Sequence, residues 1–161
     1  MARSLNVFGA LAAALVLAGA GIVRADELPL VKVWKTPTCG CCSKWVRHLE
    51  AAGFHVEVTD VDNVDPIKSA NGVPPSLASC HTALVGRYVI EGHVPASDVR
   101  RLLKEKPDIL ALIAPGMPAG SPGMDVPGSP AFDVLSLSKG RKASIYATHG
   151  RQSATPFKIT K

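Results

Sequence analysis

Three of the four cysteines of this chain lie within four consecutive positions, Cys39-Gly40-Cys41-Cys42. A structural disulfide usually joins distant parts of a chain, because closing a long loop removes more entropy from the unfolded state. A cluster this tight can supply one such bond at most. Cys39 and Cys42 have the C-x-x-C spacing of a dithiol redox pair. Cys41 favours metal binding instead, because three thiolates within one turn can converge on copper(I) or another thiophilic ion.

The fourth cysteine is followed directly by a histidine, and this Cys80-His81 pair is the second candidate for chemistry. Cys80 offers another thiolate, and His81 offers a harder nitrogen ligand. A mixed sulfur and nitrogen shell tolerates both copper oxidation states better than thiolate alone, which points to redox cycling. The alternative is that Cys80 is a small buried core residue.

The distance between Cys80 and the first cluster depends on where the next strand begins. If Pro74 or Pro75 faces the cysteine turn, Cys80 lies about 16 Å away. If Thr82 opens the strand, Cys80 lies in the loop directly before it, and its sulfur lies within about 8 Å of a cluster sulfur. At metal–sulfur bond lengths of about 2.3 Å, Cys80 and the cluster can then share bridged metal ions. The short Gly86-Arg87 turn favours the second register.

Two methionines, Met117 and Met124, lie in a stretch (residues 114–130) that contains five prolines and four glycines. Methionine commonly fills gaps in a core, but this composition excludes regular helix or strand. Thioether sulfur is a soft ligand that suits copper(I), so both methionines are candidate ligands. His93 is a weaker candidate, and the histidines expected at the surface are His48, His55 and His149.

The elements around the first cluster predict a βαβ unit. Residues 30–34 alternate as a strand, a helix runs from Cys41 to Ala52 and ends at Gly53, and residues 54–59 alternate again. The cysteines then lie at the helix N-terminus, where free amides and the helix dipole stabilise a thiolate.

The remaining segments predict a helical turn, two hairpins and one more helix. These are residues 65–70, a hairpin of 82–85 and 88–90, a helix capped by Ser97-Asp98 and ending at Lys104, and a terminal hairpin of 132–137 and 143–146. This order is typical of a thioredoxin-like α/β domain, with a central mixed sheet flanked by helices and with a proline- and glycine-rich loop and a C-terminal hairpin added.

The N-terminus has the pattern of a secretory signal peptide. An early Arg3, an uncharged run from Val7 to Val23, and the small-x-small sequence Val23-Arg24-Ala25 predict cleavage after Ala25. An uncleaved membrane anchor is the alternative. We therefore expect a signal peptide over residues 1–25, a metal-binding domain over 26–147, a polar tail over 148–161, and a periplasmic product with no membrane contact after cleavage.

Charge and composition exclude some function classes. The net charge of +5 includes two basic residues of the predicted signal peptide, which leaves sixteen basic and thirteen acidic residues, a net +3. No run of lysine or arginine resembles a phosphate-tracking surface, so nucleic acid is not an expected partner. The ordinary apolar fraction of 47% excludes a disordered chain.

Four ordered segments, residues 36–42, 77–82, 88–95 and 115–124, together resemble the exported, cysteine-rich, metal-binding proteins of the CopG type. The resemblance covers about residues 30–147. It implies a thioredoxin-like fold, a bacterial periplasmic setting and a link to copper resistance. The matching residues are Cys39, Cys41, Cys42 and Cys80, and ligand roles for His81, Met117 and Met124 are a further expectation.

The chain is therefore predicted to be an exported thiol-rich protein that binds several copper ions in one centre. It is further predicted to cycle this copper between copper(I) and copper(II). Its expected partners are copper ions and other periplasmic copper-handling proteins. Turnover as a copper oxidoreductase and simple sequestration both stay open. The alternative is a periplasmic thiol–disulfide oxidoreductase that uses Cys39 as the attacking thiolate and Cys42 as the resolving thiol.

Overall fold

A computed structural model describes residues 28–150 of the chain as a mixed α/β structure. The predicted signal peptide lies outside the described residues, as do residues 151–161 of the predicted tail. The described part forms one seven-stranded sheet with three α-helices. The strands are β1 (Val31–Lys35), β2 (Val56–Asp60), β3 (Thr82–Val85), β4 (Tyr88–Gly92), β5 (Ala111–Ala114), β6 (Phe132–Leu137) and β7 (Ala143–His149), and the helices are α1 (Gly40–Ala51), α2 (Asp65–Ala70) and α3 (Ala96–Glu105).

The strand order in the sheet is β2-β1-β3-β4-β5-β6-β7. The pairs β1–β2 and β4–β5 are parallel, and the other neighbouring pairs are antiparallel. The β1-α1-β2 unit is present as predicted. Strand β3 begins at Thr82, which confirms the register that places Cys80 in the loop directly before this strand.

Helix α1 is held against the sheet by its apolar face. Trp45, Val46 and Leu49 are buried in the main core, as their spacing in the sequence predicted. The indole nitrogen of Trp45 donates a hydrogen bond of 2.8 Å to the carbonyl oxygen of Val94. This bond ties the first turns of α1 to the segment between β4 and α3, so both sides of the candidate site are fixed to one core.

Helix α3 begins differently from the prediction. It starts at Ala96, so Ser97 and Asp98 lie in its first turn and do not cap it. The backbone N–H of Ala96 donates instead to the Nε2 atom of His48 on α1, at 3.1 Å. Asp98 is paired with His149 at 2.6 Å. The prediction was wrong here because a side chain from a distant element supplies the acceptor that a local residue was expected to provide.

Two strands depart from the sequence analysis. Strand β5 was not predicted, yet it lies inside the sheet and all four of its residues are buried. Its short apolar run carries no alternation that separates a strand from a buried helix. Strand β7 continues to His149, beyond the predicted end at Tyr146. Within residues 28–150, no helix has the length and apolar character needed to span a bilayer.

Candidate metal centre

The first cysteine cluster lies at the N-terminus of α1, as predicted. Cys39 is the N-cap residue, and its sulfur accepts a hydrogen bond of 3.3 Å from the backbone N–H of Cys42. Cys39 and Cys42 form a disulfide with their Cα atoms 5.3 Å apart, whereas Cys41 and Cys80 are free thiols. This Cα separation lies in the range that is usual for a disulfide.

All four cysteines converge on one place. The sulfur atoms of Cys39, Cys41, Cys42 and Cys80 lie within 4.8 Å of one another. The Cys39 and Cys41 sulfurs are 3.5 Å apart. Cys42 is buried and the other three are half-buried, so the group is open to a small ion. This confirms the predicted proximity of Cys80 to the cluster, and it excludes the register that put Cys80 about 16 Å away.

A second group of possible ligands shares Cys80 with the first. The ligand atoms of Cys80, His81 and His93 also lie within 4.8 Å of one another. The Cys80 sulfur is 3.3 Å from Nδ1 of His81 and 3.0 Å from Nε2 of His93. Cys80 thus lies between a group of sulfurs and a pair of imidazole nitrogens, and a thiolate in this position can bridge two ions.

The orientation of His93 is fixed by a loop carbonyl. Its Nδ1 atom is 2.7 Å from the carbonyl oxygen of Pro122, which can only accept, so Nδ1 carries the proton. The lone pair of Nε2 is then directed at the Cys80 sulfur. Metal-binding histidines commonly have this arrangement, in which a carbonyl holds the distal N–H and fixes the tautomer. His93 was predicted to be a weaker candidate because nothing local in the sequence indicates this contact.

His81 is fully buried between two aromatic rings. Its ring centroid is 4.3 Å from that of Trp45 and 5.1 Å from that of His93. Burial, together with the charges of His93 and Lys68, lowers the pKa of His81 well below its ordinary value. Its Nε2 atom has no hydrogen-bond partner among the described residues. His81 is therefore neutral, which is the form that binds metal.

Cys80 is protonated when no metal is bound. Burial, followed by the charge of Cys41, raises the pKa of the Cys80 thiol to about 12. A thiolate at Cys80 is therefore unfavourable unless a cation compensates its charge. Binding of a cation here must release this proton.

The proline- and glycine-rich loop reaches the centre at Gly123. This residue has φ +90, and a Cβ atom there would lie 2.7 Å from the Cys41 carbonyl oxygen and 2.9 Å from the Trp45 nitrogen. Only glycine permits the loop to approach the first turn of α1 this closely. Met124 is the next residue and is half-buried, whereas Met117 is 41% exposed. Ligation by either methionine stays a prediction.

Beneath the centre lies a buried ion pair that the sequence analysis missed. Lys68 of α2 and Glu91 of β4 approach to 2.6 Å. Glu91 is a charged residue in an otherwise apolar strand, Tyr88–Gly92, and that was the available signal.

The chain is similar in sequence and fold to solved structures of copper-resistance proteins. A solved structure titled copper resistance protein CopG, form 2, is 39% identical to this chain over 77% of it and 100% of that structure, with a TM-score of 0.73. Form 1 is 40% identical over 76% and 98% of the two chains, with a TM-score of 0.72. The chain belongs to the CopG-type copper-resistance family.

A family model described as a protein of unknown function, DUF411, matches residues 77–124 of this CopG-type chain. The matched region includes the second ligand group and both candidate methionines, and the cysteines of α1 precede it. A search of curated proteins found no match. Membership of the CopG-type family and the cysteine cluster together support a copper-related function.

Proposed function

We propose that this chain is an exported copper-binding protein that takes copper(I) at the four-cysteine cluster and cycles it between copper(I) and copper(II) in copper resistance. The observation that carries the proposal is the convergence of four sulfurs within 4.8 Å of one another. Soft thiolates suit copper(I), zinc and iron–sulfur clusters, and membership of the CopG-type copper-resistance family favours copper among these. The predicted signal peptide over residues 1–25 supports a periplasmic location.

The fold that we infer is thioredoxin-like. Four neighbouring strands in the order β2-β1-β3-β4, with β1 and β2 parallel and β3 antiparallel to both neighbours, support it. The C-x-x-C pair at the start of α1 supports it as well. The additional strands β5, β6 and β7 extend the sheet on the β4 side.

The donor set fits copper as the bound substrate. Cys39, Cys41, Cys42 and Cys80 would supply the sulfur ligands, and His81 and His93 would supply nitrogens on the far side of Cys80. The His81 atom that faces Cys80 is Nδ1, at 3.3 Å from the sulfur, so Nδ1 would be its ligand atom. Bridging by Cys80 favours more than one ion per chain.

The redox step uses the Cys39–Cys42 pair. Closing this disulfide from two thiolates releases two electrons, which reduce two copper(II) ions to copper(I). The return of copper(I) to copper(II) passes one electron from each ion to an external oxidant such as dioxygen. Reopening the disulfide requires two electrons from a dithiol reductant of the same compartment. The disulfide in the structure supports the oxidised end of this cycle, and the two free thiols remain available in both states.

An anaerobic copper(I) titration of the reduced protein tests the proposal. We expect more than one copper(I) per chain, competed away only by a strong copper(I) chelator. Cys41→Ser removes one sulfur but leaves the Cys39–Cys42 disulfide possible, so it should reduce both the number of bound ions and the affinity. An unchanged number of bound copper(I) ions and an unchanged copper(I) affinity in this variant would contradict the proposed four-cysteine copper site.

The second candidate is a thiol–disulfide oxidoreductase, which the closed Cys39–Cys42 disulfide at a helix N-terminus favours. It predicts insulin reduction or disulfide isomerisation at thioredoxin-like rates, with no loss in Cys41→Ser. The parent protein and Cys41→Ser therefore separate the two candidates, because the copper proposal predicts weaker copper binding in the variant and the oxidoreductase alternative predicts unchanged disulfide exchange.

A further inference from the structure

The Lys68–Glu91 pair is buried, and none of the ligand roles above uses it. The Lys68 side chain is 5% exposed and that of Glu91 is 0% exposed, with the charged atoms 2.6 Å apart. Removing two charges from water is costly, and such a pair often stabilises a fold no better than apolar residues of similar size. The contacts of this pair therefore need an explanation other than stability.

Both oxygens of the Glu91 carboxylate are directed at the loop that carries Cys80. Oε1 accepts a hydrogen bond of 2.6 Å from the backbone N–H of Ser79, the residue before Cys80. Oε2 accepts one of 2.5 Å from the hydroxyl of Thr82, the residue after His81. One buried carboxylate thus holds both flanks of the Cys80-His81 dipeptide.

Lys68 completes the arrangement. Its Nζ atom donates to Oε1 of Glu91 and, at 2.9 Å, to the Thr82 hydroxyl oxygen. The hydroxyl of Thr82 therefore accepts from Lys68 and donates to Glu91, and these two bonds fix the direction of its O–H group. The three side chains come from α2, β3 and β4, so they connect the Cys80 loop to three elements of the core.

The backbone of β4 closes the other side of the loop. Gly92 has φ +70, and a Cβ atom there would lie 2.5 Å from the Cβ of Ser79 and 2.7 Å from the Ala114 carbonyl oxygen. The N–H of Gly92 donates to the His81 carbonyl oxygen at 3.1 Å. The loop therefore rests directly on the strand that also carries Glu91.

We propose that Glu91, held by Lys68, is the positioning residue that fixes Cys80 and His81 against the cysteine turn of α1. This inference rests on the proposed copper function. Without the carboxylate, the Ser79 N–H and the Thr82 hydroxyl lose their acceptor, and the loop keeps its backbone contact with Gly92. Cys80 is then less firmly held in the position that brings its sulfur within 3.0 Å of His93.

Two double variants of matched size test the proposal. Lys68→Met with Glu91→Leu removes both charges and the acceptor for Ser79. Lys68→Met with Glu91→Gln removes both charges but keeps an oxygen that can accept from Ser79. Because neither variant leaves an unpaired buried charge, both are expected to fold. The contrast between them isolates the acceptor.

Two readouts are measured on each full-length protein. The first is the rate of Cys80 alkylation in the metal-free, disulfide-closed protein, followed by peptide mass spectrometry. The second is the copper(I) affinity of the reduced protein by chelator competition. We expect the leucine variant to show at least tenfold faster alkylation and at least tenfold weaker copper binding than the parent. The glutamine variant should stay within threefold of the parent on both.

Equal behaviour of the leucine and glutamine variants in both readouts would overturn the proposal. So would a leucine variant that alkylates faster but binds copper as tightly as the glutamine variant. If the parent itself binds no copper(I), the proposed function fails, and the alkylation contrast still decides whether Glu91 positions the loop. If the leucine variant does not fold, Thr82→Val replaces it: faster alkylation supports the proposal, and an unchanged rate contradicts it.

Discussion

At the residue scale, His93 links the candidate metal centre to the proline- and glycine-rich loop. Its Nδ1–H donates to the Pro122 carbonyl and so attaches the loop, whereas its Nε2 is directed at Cys80 and is the candidate ligand atom. A substitution that replaces only one of these nitrogens can therefore separate the effect on copper binding from the effect on loop attachment.

His93→Asn keeps a donor close to the Nδ1 position and removes the nitrogen that faces Cys80. We expect copper(I) affinity to fall by about tenfold to a hundredfold, in the range found when groups around a metal site are replaced. The thermal midpoint of the metal-free protein should change little. His93→Ala is the control, since it also releases Pro122. Equal copper affinity of parent and His93→Asn would remove His93 from the donor set.

The cysteines and His93 differ in how far the sequence reveals them. Three cysteines in four positions form a local pattern, and the expected convergence of Cys80 required only one correct strand start at Thr82. His93 has no such local signal, because its contacts come from Pro122 and from Cys80, which are both distant from it in the sequence. The roles of Lys68 and Glu91 were equally hidden, since they depend on three elements that meet only in the folded chain.

At the scale of elements, the proline- and glycine-rich loop covers the cysteine turn through Gly123. The close contact of Gly123 with Cys41 and Trp45 fixes the backbone of the loop beside α1. Met124 follows directly, and Met117 lies earlier in the same loop. Whether the loop supplies sulfur or only packing is therefore open to a direct test.

Met117→Leu combined with Met124→Leu keeps volume and apolarity but removes both thioether sulfurs. We expect a loss in copper(I) affinity with a stability change below about 1.5 kcal/mol, as for other volume-conserving substitutions. Affinity is measured by chelator competition and stability by urea unfolding. Gly123→Ala is the control for loop position, because it displaces the loop and leaves both sulfurs present. Unchanged copper affinity in the leucine variant would make the loop purely structural.

The elements that the sequence predicted best are those with clear periodicity and clear ends. The hairpin at Gly86-Arg87 and helix α2 were placed correctly, and α1 ends before Gly53, which has φ +83. Strand β5 was missed because four buried apolar residues have no periodicity to identify them. The start of α3 was misplaced because His48, which is distant in sequence, accepts the Ala96 N–H.

At the scale of the whole molecule, His48 couples folding to pH. Burial lowers the pKa of His48, and the charge of Asp125 partly opposes this effect. The folded state thus prefers neutral His48, whose Nε2 accepts from Ala96. A histidine whose pKa is lowered by folding contributes stability above its unfolded pKa of about 6.5, and this contribution is lost as the pH falls through and below that value.

We therefore expect the free energy of unfolding of the metal-free protein to decrease from about pH 7.5 to pH 5.5. His48→Gln removes this titration and should make the decrease shallower, while His81 and His93 titrate in both proteins. Urea unfolding at several pH values measures the slope. An identical pH dependence in parent and variant would contradict the assigned role of His48.

X-ray absorption on the copper(I)-loaded, reduced protein tests whether the four cysteines form one copper centre. We expect a first shell dominated by sulfur at about 2.3 Å, as in zinc–thiolate sites, together with scattering from a second copper ion. That copper–copper signal should weaken in Cys80→Ser. A shell of nitrogen or oxygen without copper–copper scattering, or a spectrum that Cys80→Ser leaves unchanged, would contradict a single four-cysteine copper centre.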